Sequence, residues 1–236
     1  MGLHPVNRYA HLFFDLDHTL WDFRSNSRDT LAELFARHAL DGLGIPHADA
    51  FIAVYEEINE ALWAEHGAGR MPKEVLRVLR FRSALHRFGI ADGRLAGALS
   101  HDYLEHCPRK ARLMPGASEV LQACEGRYRM HIITNGFEEV QRVKLATAGI
   151  AAHFEVVLTS ERAGAAKPDP RIFQEALRRA GADAGASLVI GDSAAADMLG
   201  ARNAGIDHAH YAAETEPDPQ ATYRLRHLAE LLPILA

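Results

Sequence analysis

The chain has 236 residues, of which 48% are hydrophobic and 24% charged, and a formal net charge of -5. That balance belongs to a globular protein with a sizeable core and excludes a disordered chain, a collagen-like repeat or a disulfide-stapled miniprotein. The negative charge gives no electrostatic reason to expect polymeric nucleic acid or an anionic membrane as a partner.

The first element in the chain is a short apolar strand at 11–16, within His-Leu-Phe-Phe-Asp-Leu-Asp, which runs straight into Asp15 and Asp17. From about Ser27 to about His106 no strand pattern occurs. Helical periodicity covers 30–39, 48–65, 72–88 and 95–106 instead, punctuated by Gly42, Gly44, Pro46, Gly67, Gly69, Gly89 and Gly93. At roughly 80 residues this stretch is far longer than a strand crossover needs. It predicts a helical cap domain, 22–106, inserted into an α/β core domain made of 1–21 and 107–236. Met114-Pro115-Gly116 marks the return to the core. Strands follow at 128–134, 154–159, 187–191 and 206–211, separated by helices at 137–148, 170–180 and 194–204. Gly149, Gly181 and Gly205 stand where those helices should stop. A polar loop, 214–220, precedes a last predicted helix at 222–232. The alternation means a parallel sheet flanked by helices: an α/β, three-layer parallel sheet with an inserted all-helical cap.

Parallel α/β sheets bind ligands beyond the carboxyl ends of their strands. Asp15 and Asp17 end the first strand, Thr134 and Asn135 the second, and Asp192 the fourth, with Asp197 five residues later. Lys167 is read as opening the helix after the third strand. Carboxylates crowded at one edge repel unless a cation shares them. Oxygen ligands alone suit Mg2+. A Thr hydroxyl, a Lys and free backbone N–H groups suit a phosphate dianion. The set reads as a phosphoryl-transfer site with an aspartate nucleophile. Each piece alone is commonplace, since most D-x-D pairs are turn or surface carboxylates and Thr-Asn-Gly is an ordinary turn. Their order, at the ends of successive strands, carries the reading.

Four motifs stand in sequence: Asp15-Leu16-Asp17-His18-Thr19-Leu20, Ile133-Thr134-Asn135-Gly136, Lys167-Pro168-Asp169-Pro170, and Gly191-Asp192 with Asp197. In these the chain resembles the haloacid dehalogenase superfamily, and its helical insertion resembles that family's cap. Ala61-Leu62-Trp63, Leu113-Met114-Pro115-Gly116-Ala117 and Ile133 to Phe137 resemble the branch of noncanonical pyrimidine 5′-nucleotidases. The resemblance implies Mg2+-dependent phosphomonoester hydrolysis through an aspartyl-phosphate. By it, Asp15 is the nucleophile and Asp17 the general acid, then the base. Thr134 and the backbone around Asn135 hold the phosphate, and Lys167 offsets the charge. Asp15, the Asp17 carbonyl and Asp192 hold Mg2+, with Asp197 in support. The substrate implied is a small phosphorylated metabolite, first among them a nucleoside 5′-monophosphate. Phe23, Trp63 and Phe137 are candidates to stack a base and Arg80 to meet its polar edge, with an ordinary core position as the competing reading for each. The alternatives are a sugar-phosphate phosphatase, a phosphomutase of the same superfamily, or a non-catalytic binding protein on the fold.

No apolar run approaches the ~18 residues of a membrane span. The opening MGLHPVNRYA carries no signal-peptide pattern, and Cys107 and Cys124 lack a CxxC spacing, so a cytoplasmic protein with reduced thiols is expected. The fourteen histidines show no metal-binding spacing, although His208 and His210 alternate as on one strand face.

Overall fold

The computed structural model describes residues 8–236. Residues 1–7, which open the expected core segment 1–21 and most of the stretch read for a signal peptide, lie outside the described residues. The chain divides into two units, one running up to Phe23 and resuming at Ala111–Ala236, the other Arg24–Lys110.

After strand β1 (His11–Phe14) the chain enters four helices: α1 (Phe23–Arg37), α2 (Ala48–Gly67), α3 (Lys73–Arg87) and α4 (Gly93–His106). No strand interrupts them, as the periodicity predicts. Asp92 caps α4, its side chain accepting the Arg94 and Leu95 N–H groups at 2.9 and 3.0 Å. Phe51, Tyr55, Leu76, Phe81, Leu85, Leu99 and Tyr103 form the interior of this helical unit. Arg80 is buried among them. Its Nη1 donates to Asn59 Oδ1 at 3.1 Å, and its guanidinium carbon lies 4.7 Å from the Tyr103 ring centroid.

The α/β unit then adds α5 (Ala117–Cys124), β2 (Arg129–Thr134), α6 (Glu138–Thr147), β3 (Phe154–Thr159) and α7 (Ser160–Ala163). Next come α8 (Pro170–Ala180), β4 (Ser187–Gly191), α9 (Leu199–Asn203), β5 (Asp207–Tyr211), β6 (Tyr223–Leu225) and α10 (Leu231–Ile234). The strands form one parallel sheet in the order β3-β2-β1-β4-β5-β6. β1 and β4 are buried at every residue, which suits only the middle of a sheet covered on both faces. Phe14 stands level with Ile132 and Ile190, so the residues just past β1, β2 and β4 emerge at one edge. From β1 the chain order runs outward in both directions, and the edge above such a switch point is where this architecture opens a cleft.

Helix α8 shows how the flanking layer is held. Asp169 caps it by accepting the Arg171 N–H at 2.9 Å, Pro170 occupies the first turn, where no N–H is needed, and Gly181 ends it. Its buried face, Ile172, Phe173, Ala176 and Ala180, packs with Phe13, Ile133, Leu158 and Val189 of the sheet. Full burial of each larger side chain stabilises by ~1.5–3 kcal/mol.

Several expectations need correcting. Residues 222–232 are not one helix: Tyr223–Leu225 is edge strand β6, paired with Ala209, His210 and Tyr211, and helix is confined to a 3-10 turn at Leu228–Glu230 and to α10, Leu231–Ile234. The sheet ladder outweighs the helix propensity of Arg224-Leu225-Arg226-His227-Leu228. The segment predicted as helix at 194–204 opens with one wide turn, Ala194–Met198, before α9. Lys167 does not open α8 but lies three residues before it. α5 has no counterpart among the predicted elements.

Candidate active site

Asp15 follows β1 directly, and its N–H donates to Ile190 O at 2.9 Å, extending the ladder to β4. Its carboxylate is buried against Lys167. The Lys167 ammonium donates to Asp15 Oδ1 at 2.5 Å, to Asp197 Oδ1 at 2.5 Å and to Ile133 O at 3.0 Å. Three acceptors use all three ammonium hydrogens, so the group is fixed. Asn135 anchors the same residue by its backbone: Lys167 N donates to Asn135 Oδ1 at 2.8 Å, and Asn135 Nδ2 donates to Lys167 O at 3.0 Å. The Asn135 side chain is thus spent on the loop that presents Lys167, whose peptide bond to Pro168 is cis.

Asp192 follows β4 and accepts the Thr19 hydroxyl at 3.2 Å. Asp197, on the wide turn after β4, accepts the Ser193 N–H on Oδ2 at 3.1 Å and Lys167 on Oδ1. Gly191 makes the approach possible, because a Cβ there would lie 2.4 Å from the Asp197 carboxyl carbon. One oxygen each of Asp15, Asp192 and Asp197 falls within a 4.8 Å group. Burial, then the Asp197 charge, pushes Asp192 up to about 6. Burial raises Asp15 too, with Lys167 pulling it back and Asp197 and Asp192 pushing it up. Burial alone would lower Lys167, but the two carboxylates it touches raise it above its ordinary value.

This donor set fits Mg2+. It is oxygen only, and it carries more negative charge than Lys167 balances. Asp197 has both oxygens engaged, while Asp15 and Asp192 each keep one oxygen with no hydrogen-bond partner among the described residues.

A family model of haloacid dehalogenase-like hydrolases matches residues 9–205, the span that carries all of these groups. The chain belongs to the haloacid dehalogenase-like hydrolases. It is 32% identical over 228 residues to the pyrimidine 5′-nucleotidase YjjG of Escherichia coli, covering 95% of this chain and 96% of that one. A relative with another substrate in its name, a phosphoserine phosphatase of Thermus thermophilus, is 30% identical over 91% of this chain and 94% of its own. Among solved structures, YfnB of Bacillus subtilis bound to magnesium superposes with a TM-score of 0.86 at 29% identity, covering 97% of this chain and 99% of that one.

In this haloacid dehalogenase-like hydrolase, Asp17 lies beside two groups that belong to none of the four motifs. Lys144 Nζ is 2.6 Å from Asp17 Oδ1, and Gln141 Nε2 donates to Asp17 Oδ2 at 2.9 Å. Both sit on α6, where they look like ordinary polar helix positions. Their spacing of three, which puts them on one helix face, is the only signal in the sequence. Thr19 and His210 were also unassigned. His210 Nδ1 accepts the Asp218 N–H at 2.8 Å, which leaves Nε2 as the donor to Asp192 O, also at 2.8 Å.

The four candidates for the base divide. Phe23 stands in the α/β unit, half-buried, its ring 5.1 Å from His18 and 5.2 Å from the Lys144 ammonium. Phe137 is buried at the start of α6. Trp63, on α2, is half-buried and packs edge-on to His66 at 5.5 Å, and Arg80 is held by Asn59 inside the helical unit. Among the described residues no helix is long and apolar enough to cross a membrane. Neither Cys107 nor Cys124 is in a disulfide.

Proposed function

We propose that this hydrolase is a Mg2+-dependent phosphomonoesterase that works through phospho-Asp15. The observation that carries the reading is the state of Asp15: one oxygen held by a fully committed ammonium, the other without a hydrogen-bond partner among the described residues, and a second carboxylate two residues away. The unheld oxygen attacks phosphorus, and the Asp15–phosphorus bond forms as the ester oxygen–phosphorus bond breaks. Asp17 gives its proton to the departing alkoxide, which leaves as the alcohol. Asp17, now a carboxylate, takes a proton from water as that water attacks phosphorus. The Asp15–phosphorus bond breaks, and phosphate leaves with Asp15 restored. Lys167 offsets the charge on Asp15 throughout, and the Thr134 hydroxyl with the Asn135 N–H meets the phosphoryl oxygens, the Gly136 N–H being taken by Thr134 Oγ1. Asp15, Asp192 and the Asp17 carbonyl would hold Mg2+, with Asp197 steadying Lys167; the ion supplies neutralisation of phosphoryl charge.

For the substrate we infer a nucleoside 5′-monophosphate, on the strength of the YjjG relationship; the phosphoserine phosphatase relative marks the competing class. Release of phosphate from 4-nitrophenyl phosphate tests the chemistry. Turnover should vanish with a chelator, return with Mg2+, and be absent in Asp15→Asn; an active Asp15→Asn protein overturns the mechanism. Comparison of kcat/KM for dUMP, dTMP, dAMP, phosphoserine and small sugar phosphates tests the substrate. A better sugar phosphate or phosphoserine sinks the nucleotidase reading and leaves the phosphatase chemistry standing. Isomer formation from a glucose 1-phosphate in place of phosphate release would make the protein a mutase.

A further inference from the structure

The face of α6 that follows Thr134 carries two buried polar side chains with no part in the four motifs. Gln141 is 0% exposed and Lys144 3%. The Gln141 amide nitrogen donates to Asp17 Oδ2 at 2.9 Å and to Thr134 Oγ1 at 2.8 Å, which uses both of its hydrogens. The reverse amide orientation would set its carbonyl against a carboxylate, so the network fixes which end points in. Lys144 holds the other Asp17 oxygen at 2.6 Å. Its ammonium is itself confined, 4.4 Å from the Trp21 ring centroid and 5.2 Å from that of Phe23. Gly136 gives the amide its room, because a Cβ there would lie 2.1 Å from Gln141 Nε2.

Two consequences follow from the donor and acceptor count. Thr134 Oγ1 accepts from Gln141 and also from the Gly136 N–H at 3.1 Å. With both lone pairs filled, the hydroxyl can act outward only as a donor, which is the role an anionic phosphoryl oxygen requires. Asp17 accepts on both oxygens, so its plane is set by two fixed donors, and this is the carboxylate that remains once a proton has gone to the leaving group.

We propose that Gln141 and Lys144 are positioning residues: together they clamp Asp17 for proton transfer, and Gln141 also forces Thr134 to present its proton to the phosphoryl group. The proposal rests on the phosphomonoesterase reading above and adds the residues that orient its acid and its phosphate donor.

The test compares two esters. An alkyl phosphate such as dUMP, or whichever alkyl phosphate is turned over best, needs its leaving oxygen protonated. 4-Nitrophenyl phosphate releases a phenolate stable enough to leave without a proton. The parameter is kcat/KM, which stops at the first irreversible step and so leaves out the later role of Asp17 as base. Lys144→Met should lower kcat/KM for the alkyl ester ~30–100-fold and for the aryl ester less than about fivefold, within the range of general acid catalysis and of small misplacements. Its inhibition constant for inorganic phosphate should stay within about threefold, because Thr134 is untouched. Gln141→Leu should lose on the alkyl ester similarly and also weaken phosphate binding by about tenfold, the worth of one lost hydrogen bond to an anion. Lys144→Arg should recover part of the alkyl activity, and it supplies the same comparison if Lys144→Met does not fold. Equal losses on both esters, or no loss on either, would overturn the proposal. An unsubstituted protein that hydrolyses neither ester would overturn the phosphatase reading and this one with it.

Discussion

Replacing Lys167 by Met keeps the length of the side chain and removes its charge. The ammonium is shared by two carboxylates at 2.5 Å, and the three side chains are 4%, 9% and 2% exposed for Lys167, Asp15 and Asp197. Removing one partner of a buried ion pair costs about 3–5 kcal/mol, because the other charge stays buried and unpaired. Here two charges are left, so the loss should fall near the top of that range, about 5 kcal/mol. For a chain of this size about 2–4 °C of Tm go with each kcal/mol, so the midpoint should drop by roughly 10–20 °C. The deficit should also depend on pH. Burial already holds Asp15 and Asp192 above the ordinary carboxylate range, Asp192 at about 6. Loss of the ammonium raises them further, so the folded variant binds protons that the unfolded chain releases, and acid favours it. Thermal or urea unfolding with a chelator present, at pH 8 and at pH 5.5, measures this. Asp197→Asn added to Lys167→Met should recover stability relative to Lys167→Met alone. A variant within about 1 kcal/mol of the parent at pH 8 would fall below any buried-pair cost and refute the reasoning, as would a deficit that grows on acidification, which reverses the linkage.

Three further outcomes follow from the same structure. Asp17→Asn should lower kcat/KM for an alkyl phosphate by ~10²–10⁴-fold, the usual worth of a general acid, with a smaller loss on 4-nitrophenyl phosphate measured alongside. Gly191→Ala should push Asp197 off Lys167, costing ~1–3 kcal/mol in urea unfolding, the range for overpacking, together with a loss of turnover. His131 is fully buried beside His11 at 3.1 Å, and burial followed by the neighbouring His11 lowers it to about 4. A histidine lowered in the folded state costs nothing above its unfolded pKa of about 6.5 and destabilises progressively below it. Stability should therefore fall by roughly 2–3 kcal/mol between about pH 6.5 and pH 4 through this residue, and His131→Leu should remove that part of the acid loss in pH-dependent unfolding.

Much of the α/β unit could be read from the sequence because its strands are short apolar runs that end abruptly in polar residues. Phe13-Phe14-Asp15, Ile132-Ile133-Thr134 and Val189-Ile190-Gly191-Asp192 each mark both a strand and the place where it stops. The edge strand Tyr223–Leu225 was not legible, because its own residues favour a helix and only the neighbouring ladder makes it extended. Gln141 and Lys144 were hidden for a related reason. A polar residue on a helix is usually solvated, and nothing local tells that these two point at Asp17, a residue more than a hundred positions earlier. Arg80 was legible as a candidate but not as what it is: a cation held by Asn59 among Tyr55, Phe81 and Tyr103.

The place of β1 in the sheet sets an order of events for the growing chain. Its residues pair on one side with a strand that starts at Arg129 and on the other with one that starts at Ser187. Leu12, Phe13 and Phe14 therefore leave the ribosome with neither neighbour yet made, and the whole helical unit is synthesised before the first one appears. Loop closure over such separations slows folding, and an unpaired apolar strand is prone to stick to other chains. Inserting a unit that can bury its own apolar side chains meanwhile leaves this one strand as the exposed segment of the early chain. Arrest of translation before residue 187 should therefore yield a chain that holds Asp15 but has no Asp192 to set beside it, and that depends on chaperones until β4 arrives.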